Sequence, residues 1–322
     1  MSGLSNQTLV AKDNRGFRSW TRRRSTEKEK PLPLKQQIAL QLVLIGVLIT
    51  VLFPILWIFS LSIDPRNLFR PEGLNLIPPG ASFDAYVKVL TRPTSNNISF
   101  LELMLNSLKI ALGTATVAVS LGILAAYAFS RLKFRGREIL MIVILGVLML
   151  PAVATLIPLY VFLNKFRIEA FGFDFNLRAS LLGVMLAITS AQLPFAIWNL
   201  KGYLDTIPHD LEEAAFVDGA TQNQTFTKII LPLATPAIAV TGFLGFLGGW
   251  TEYLTVYMFI GGNVPDWTLS IALNSMVGQF ARNTPWSEFA AFAILFALPV
   301  SVVFFIFQRY LVGGLAVGGV KG

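Results

Sequence analysis

The most polar stretch of helix-forming sequence in this chain is DLEEAAFVDGATQNQTF, residues 210–226. Its carboxylates, Asp210, Glu212, Glu213 and Asp218, are interleaved with alanine and glycine, and no nucleophile–base pair stands among them. His209, the only histidine, precedes the stretch and reads as a loop residue rather than a ligand or sensor. The chain has no GxxxxGK[ST] phosphate loop, no HExxH and no GxSxG, so it should neither hydrolyse ATP by itself nor transfer acyl groups. With no cysteine there is no disulfide framework and no thiolate metal site, and one histidine argues against a histidine-based metal centre. Glu252, in GGWTEYL, is the one ionisable residue well inside an apolar region. A single carboxylate is thin support for a proton relay, because such relays are built from several intramembrane ionisable groups. It either reaches interfacial water or lines a polar cavity. Trp250 and Tyr253 beside it suit an aromatic belt or a sugar-stacking surface equally, and Gln192, Trp198 and Asn199 complete the candidates for a substrate path.

The elements that must position these residues are membrane spans. The composition is 54% hydrophobic and 14% charged, against about 25% charged in soluble domains. A bilayer core needs roughly 20 apolar residues per helix, and six stretches qualify: 38–63, 110–130, 139–164, 179–200, roughly 229–251 onward, and 289–308. The first is too long and too far from the N-terminus for a cleaved signal peptide. Prolines 54, 151, 158, 194, 236 and 299 fall within spans, where neighbouring groups re-satisfy freed backbone. Residues 1–36 carry nine Lys/Arg against three Asp/Glu. Directly before an apolar run, this is a positive-inside signal rather than a nucleic-acid arm. Its polarity predicts disorder. With the N-terminus in the cytoplasm, 17 Lys/Arg fall on inside segments and 9 outside, and the acidic stretch lies inside. The domain plan is therefore a basic cytoplasmic tail over 1–36 and a transmembrane domain over 37–322, with a cytoplasmic loop at about 205–228. The first outer loop is long enough for small lateral helices.

The loop reads as helix, turn, helix. Pro208 suits a first turn, and Asp210, Glu212 and Glu213 complement the positive helix N-terminus. Gly219 supplies a left-handed stop. Thr221 and Gln224 form a capping box for a second helix, which runs through FTKIILP into span five. Ala214, Ala215, Gly219 and Ala220 present tiny side chains that let another backbone approach, with Phe216 as a knob.

At this point a resemblance enters. Glu213-Ala214-Ala215, Gly219, Ile229, Leu231 and Pro232 fit the E-A-A-x-x-x-G-x9-I-x-L-P pattern of bacterial ABC-importer permeases without a gap. QRYLVGGLAVGGVKG resembles the C-terminus of the smaller permease subunit of maltose-type sugar importers. The resemblance implies an all-α integral membrane protein with six transmembrane helices, the type I ABC importer permease fold and a cytoplasmic coupling helix. It implies ATPase contact through Glu212, Glu213, Ala214, Ala215, Phe216, Asp218, Gly219 and Ala220. It also implies that a tail over 313–322 reaches between ATPase subunits through Gly318, Gly319, Val320, Lys321 and Gly322; a frayed terminus is the alternative. The expected partners are a second permease subunit in a heterodimer, two copies of a cytoplasmic ATPase, an extracytoplasmic solute-binding protein and a di- or oligosaccharide. No cofactor is expected on this chain, with ATP and Mg bound in the ATPase. The expected location is the bacterial cytoplasmic membrane, with lipid around the spans, both termini cytoplasmic and no nucleic-acid partner. A permease for another solute, such as a glycerol phosphate ester or polyamine, and an ATP-independent secondary transporter are the competing readings.

Overall fold

The computed structural model describes residues 33–68, 76–170, 173–277 and 284–318. Residues 1–32 of the basic tail lie outside this set, as do Gly319, Val320, Lys321 and Gly322.

A bilayer interior offers no hydrogen-bond partner to the backbone, so each apolar run must satisfy its own N–H and C=O groups as helix. The helices long and apolar enough to cross a membrane are α1 (Leu34–Ser62), α3 (Phe100–Arg131), α6 (Leu181–Leu204) and the Trp286–Tyr310 part of α13 (Trp286–Gly318). Two bent pairs bring the number to six by length and composition. One is α4 (Arg137–Leu148) with α5 (Ala152–Asn164), which turn by 107°. Pro151 lies at this turn; it has no N–H, and its ring collides with the carbonyl four residues back. The other runs from α8 (Gln222–Thr225) through a π-helical segment (Phe226–Ile230) and α9 (Leu231–Leu233) to α10 (Thr235–Thr251), with a 72° bend flanked by Pro232 and Pro236. Short helices complete the set: α2 (Asp84–Thr91) in the first long loop, α7 (Asp210–Val217), α11 (Leu254–Ile260) and α12 (Leu269–Ser275). Among the described residues the fold is helical except for one antiparallel hairpin, β1 (Arg167–Ala170) and β2 (Phe173–Asn176), with Arg167 opposite Asn176. Helical periodicity did not announce it.

The chain divides into units 1–55 and 56–322. In the first, the described residues are the leading part of α1, whose apolar side chains are largely exposed. In the second, α3 is the central element, packed against α6 and α10. Small residues permit the closeness of the α3–α10 pair: a Cβ on Gly249 would lie 2.8 Å from the Ala111 Cα. Membrane helices associate through such small-residue seams because lipid supplies no hydrophobic drive between them. Around α3 lie three apolar clusters. One contains Leu103, Phe246, Trp250 and Phe292; another Ile110, Val184, Phe259 and Ile271. The third, at the Arg131 end, contains Tyr127, Leu200, Leu204, Ile207 and Ile230. It forms the floor beneath the 205–228 loop.

Candidate functional site: the 205–228 loop

α7 begins directly after His209, with Asp210, Glu212 and Glu213 in its first turn. It ends as its sequence predicts. Gly219 has φ +83°, a left-handed conformation that costs a side-chain-bearing residue roughly 1–2 kcal/mol. The Ala220 N–H donates to the Ala215 carbonyl at 2.9 Å and the Gly219 N–H to the Phe216 carbonyl at 3.1 Å. These are the two crossed bonds of a Schellman stop. The next helix starts with the expected capping box: Gln224 N–H donates to Thr221 Oγ1 at 3.3 Å, and Thr221 N–H to Gln224 Oε1 at 2.8 Å. The second helix does not run straight into span five. It passes through the π turn and then bends.

The two sides of α7 differ. Glu212 and Ala215 face inward and are buried, while Leu211, Glu213, Ala214, Phe216, Val217 and Asp218 are exposed. Val217 is 88% exposed, unusual for an aliphatic side chain. The inward side rests on Arg131, the last residue of α3. Arg131 Nε pairs with Glu212 Oε1, and the two side chains are only 4% and 8% exposed. Arg131 Nη2 donates to the Ile207 carbonyl at 2.8 Å. Its Nη1 lies 3.2 Å from His209 Nε2 and donates to Ser130 Oγ at 3.3 Å. Ser130 Oγ in turn donates to Asp205 Oδ1 at 2.6 Å, and Lys201 Nζ reaches Asp205 Oδ2 at 2.5 Å. Burial pushes the Asp205 carboxyl up, but the hydrogen bonds from Lys201 and Ser130 outweigh it and hold the group below its ordinary range. One turn back on α3, Tyr127 packs on the Phe226 ring, beyond the end of α7, with centroids 4.7 Å apart. α3 therefore grips the loop on both sides of α7. Sequence reasoning missed Arg131, which looked like one of several loop cations after span two. The available signal was a lone arginine closing an apolar helix.

The substrate-path candidates do not form one constellation. Gln192 and Asn199, two turns apart on α6, both meet α10. A Cβ on Gly248 would run into the Gln192 amide, and Asn199 Nδ2 donates to Thr241 Oγ1 at 2.9 Å. Trp198 is half exposed, with the Phe195 ring at 6.3 Å. Trp250 is sealed in the core, its ring stacked on Phe246 and its Nε1–H bound to the Phe296 carbonyl at 3.1 Å. Within this chain it is a packing residue. Glu252 ends α10 at a break that the apolar pattern hid. Its Oε1 accepts from the Thr255 N–H at 2.9 Å and the Thr255 hydroxyl at 2.8 Å, so it caps the turn into α11. Tyr253 stacks on Tyr257 with ring centroids 5.6 Å apart. Of the tail candidates, Gly318 is the last residue of α13, which continues past the expected end of the span near 308. Among the described residues no group of His, Cys, Asp or Glu is arranged to hold a metal ion.

Comparison with known proteins now has this geometry to explain. Residues 118–317, from mid-α3 to the end of the last span, match the family described as the binding-protein-dependent transport system inner membrane component. The chain is 34% identical over 293 residues to the maltose/maltodextrin transport system permease protein MalG of Photorhabdus laumondii, covering 88% of this chain and 96% of that one. It is 37% identical over 271 residues to the trehalose transport system permease protein SugB of Mycobacterium tuberculosis, covering 84% and 93%. In three dimensions it is similar to a chain of a bacterial ABC transporter involved in the import of the acidic polysaccharide alginate, with a TM-score of 0.69 at 23% identity, covering 87% and 98%. That last likeness establishes the fold, the type I permease architecture. The several apolar helices, the Gly219-terminated helix and the matched region agree on one assignment: the chain is a multi-pass inner-membrane protein and belongs to the binding-protein-dependent transport system inner membrane component family.

Proposed function

We propose that this chain forms half of the translocation path of an ATP-driven sugar importer and receives its drive through α7. The observation that carries the reading is the two-sided α7: an outer side of Leu211, Glu213, Ala214, Phe216 and Val217 open to a partner, on an inner side locked to α3. An exposed apolar patch rimmed by charge is the form of a protein-docking surface. In this reading the occupant is a cytoplasmic ATPase subunit, two copies serving this chain and a second permease subunit. ATP and Mg bind in those subunits, and this chain hydrolyses nothing. Both chain termini and the 205–228 loop are then cytoplasmic, consistent with the lysine and arginine bias. A solute-binding protein delivers the sugar from the other side; one solved alginate transporter is described in complex with a pentasaccharide-bound periplasmic protein. The sugar-importing relatives favour a di- or oligosaccharide as cargo.

The test is co-purification from mildly solubilised membranes, comparing wild type with Gly219→Asp. The substitution forces a side chain onto a left-handed residue at the end of α7, outside the spans. Wild type is expected to retain an ATPase subunit and to show sugar-stimulated ATP hydrolysis after reconstitution. Gly219→Asp should insert normally and lose most of both. If wild type retains no ATPase, the reading fails and uptake driven by an ion gradient becomes the experiment to run.

A further inference from the structure

Two neighbouring glutamates on α7 have opposite surroundings, and the difference assigns a role to a residue 81 positions earlier. Glu213 is exposed. Glu212 is buried against Arg131, the terminal residue of the central helix. We infer that Arg131 is the positioning residue that makes α7 and the end of α3 one rigid body, so that a push on α7 moves α3 instead of bending the loop. The inference rests on the proposed coupling role of α7.

The geometry supports a joint rather than a point contact. Three nitrogens of one planar guanidinium are engaged: Nε with Glu212, Nη2 with the Ile207 carbonyl at 2.8 Å, and Nη1 with Ser130 at 3.3 Å, His209 lying at 3.2 Å. These partners belong to the helix start, to the connecting turn before it and to α3 itself. A fork held in several directions resists rotation as well as translation, which a lysine, as a flexible point charge, does not. Burial removes water as an alternative partner for either charge, so separating them is opposed by desolvation. Tyr127 adds a second attachment one turn away, its ring packed at 4.7 Å on Phe226 beyond the Gly219 stop. The chain on each side of α7 is thereby tied to α3.

The chain has no native cysteine, so a spin-label pair can be installed without background at Val217→Cys on α7 and Leu105→Cys on an exposed part of α3. Leu105 lies about 39 Å of helical rise from Arg131. The distance distribution is measured on the full chain in nanodiscs by pulsed electron spin resonance, in otherwise wild-type protein and in Arg131→Met. A single narrow distribution is expected in the former and one at least twofold broader in the latter, at a temperature well below unfolding. In the reconstituted transporter, Arg131→Met should still retain the ATPase, because the exposed side of α7 is unchanged, while sugar moved per ATP falls about tenfold. Arg131→Lys should restore thermal stability more than coupling. Should Arg131→Met not yield folded protein, Glu212→Gln, of the same shape, is measured in its place and is expected to broaden the distribution. Unchanged widths, or a sugar-to-ATP ratio within twofold of wild type, would overturn the inference. Absence of any ATPase from the wild-type preparation would instead sink the coupling role, and the distance measurement would still decide whether Arg131 fixes α7.

Discussion

Glu212, in the first turn of α7, and Glu252, where the chain leaves α10, each fix the chain by a different chemistry. Glu212 meets a guanidinium in a nearly water-free site, across 81 residues of sequence. Glu252 meets the backbone N–H and hydroxyl of Thr255, three residues on, and no ion pair involving it is present among the described residues. The first is a tertiary lock and the second a local cap. The contrast separates sites where charge joins elements from sites where it only shapes one. It also implies that the two carboxylates should respond very differently to removal.

The largest expected effect is therefore Glu212→Ala, which strands a buried arginine; removing one partner of such a pair costs about 3–5 kcal/mol. A thermal unfolding series of purified protein in detergent should show it as the steepest loss among the variants named here. Glu252→Ala removes two hydrogen bonds, each about 1 kcal/mol, and Glu252→Gln should recover most of that loss because an amide oxygen still accepts from Thr255. If Glu252→Ala proved as costly as Glu212→Ala, the lock-versus-cap distinction would be broken. Gly219→Ala is expected to cost roughly 1–2 kcal/mol for the left-handed backbone, with no clash to add, since no atom lies within 4 Å of the position its Cβ would take. Thr221→Ala, which empties a capping box, should cost about 1 kcal/mol and fray only the start of α8, visible as faster amide exchange at Gln222 to Gln224.

The smallest effect is a pH dependence at a third carboxylate. The Arg66 guanidinium beside Asp64 holds its carboxyl below the ordinary carboxylate range, with burial acting in the opposite direction. The folded state then binds the proton less readily than the unfolded one. Its contribution is complete above the unfolded value of about 3.9 and is lost as pH falls below it towards the folded value. Comparing wild type with Asp64→Asn, the stability gap should be constant from neutral pH down to about 5 and close only under stronger acid. A gap that closes near neutrality would contradict the pairing.

Local chemistry explains what could be read in advance. The Gly219 stop and the Thr221–Gln224 box are each specified within six residues, so sequence alone located them correctly. The six apolar runs were legible because a bilayer demands length, but composition says nothing about direction inside a run. The 72° bend and the break at Glu252 were therefore hidden, although Pro232, Pro236 and an acid within an apolar run marked the places. RIEA and FDFN are too short for a period to emerge, and the hairpin they form was invisible. Trp250 looked available for a sugar because tryptophan has a polar edge; a carbonyl of α13 already takes that edge. Arg131 was illegible for the opposite reason: its partners are distant in sequence and unremarkable one by one.

The division of α7 into a fixed inner row and a free outer row has a consequence for how such a protein can change over generations. Glu212 answers to Arg131 of the same polypeptide, so any drift there requires a matching change on α3. Leu211, Glu213, Phe216 and Val217 are exposed. On the proposed docking role they can be rewritten to suit a different partner while the mounting stays as it is, in the way an adaptor keeps its thread and changes its key.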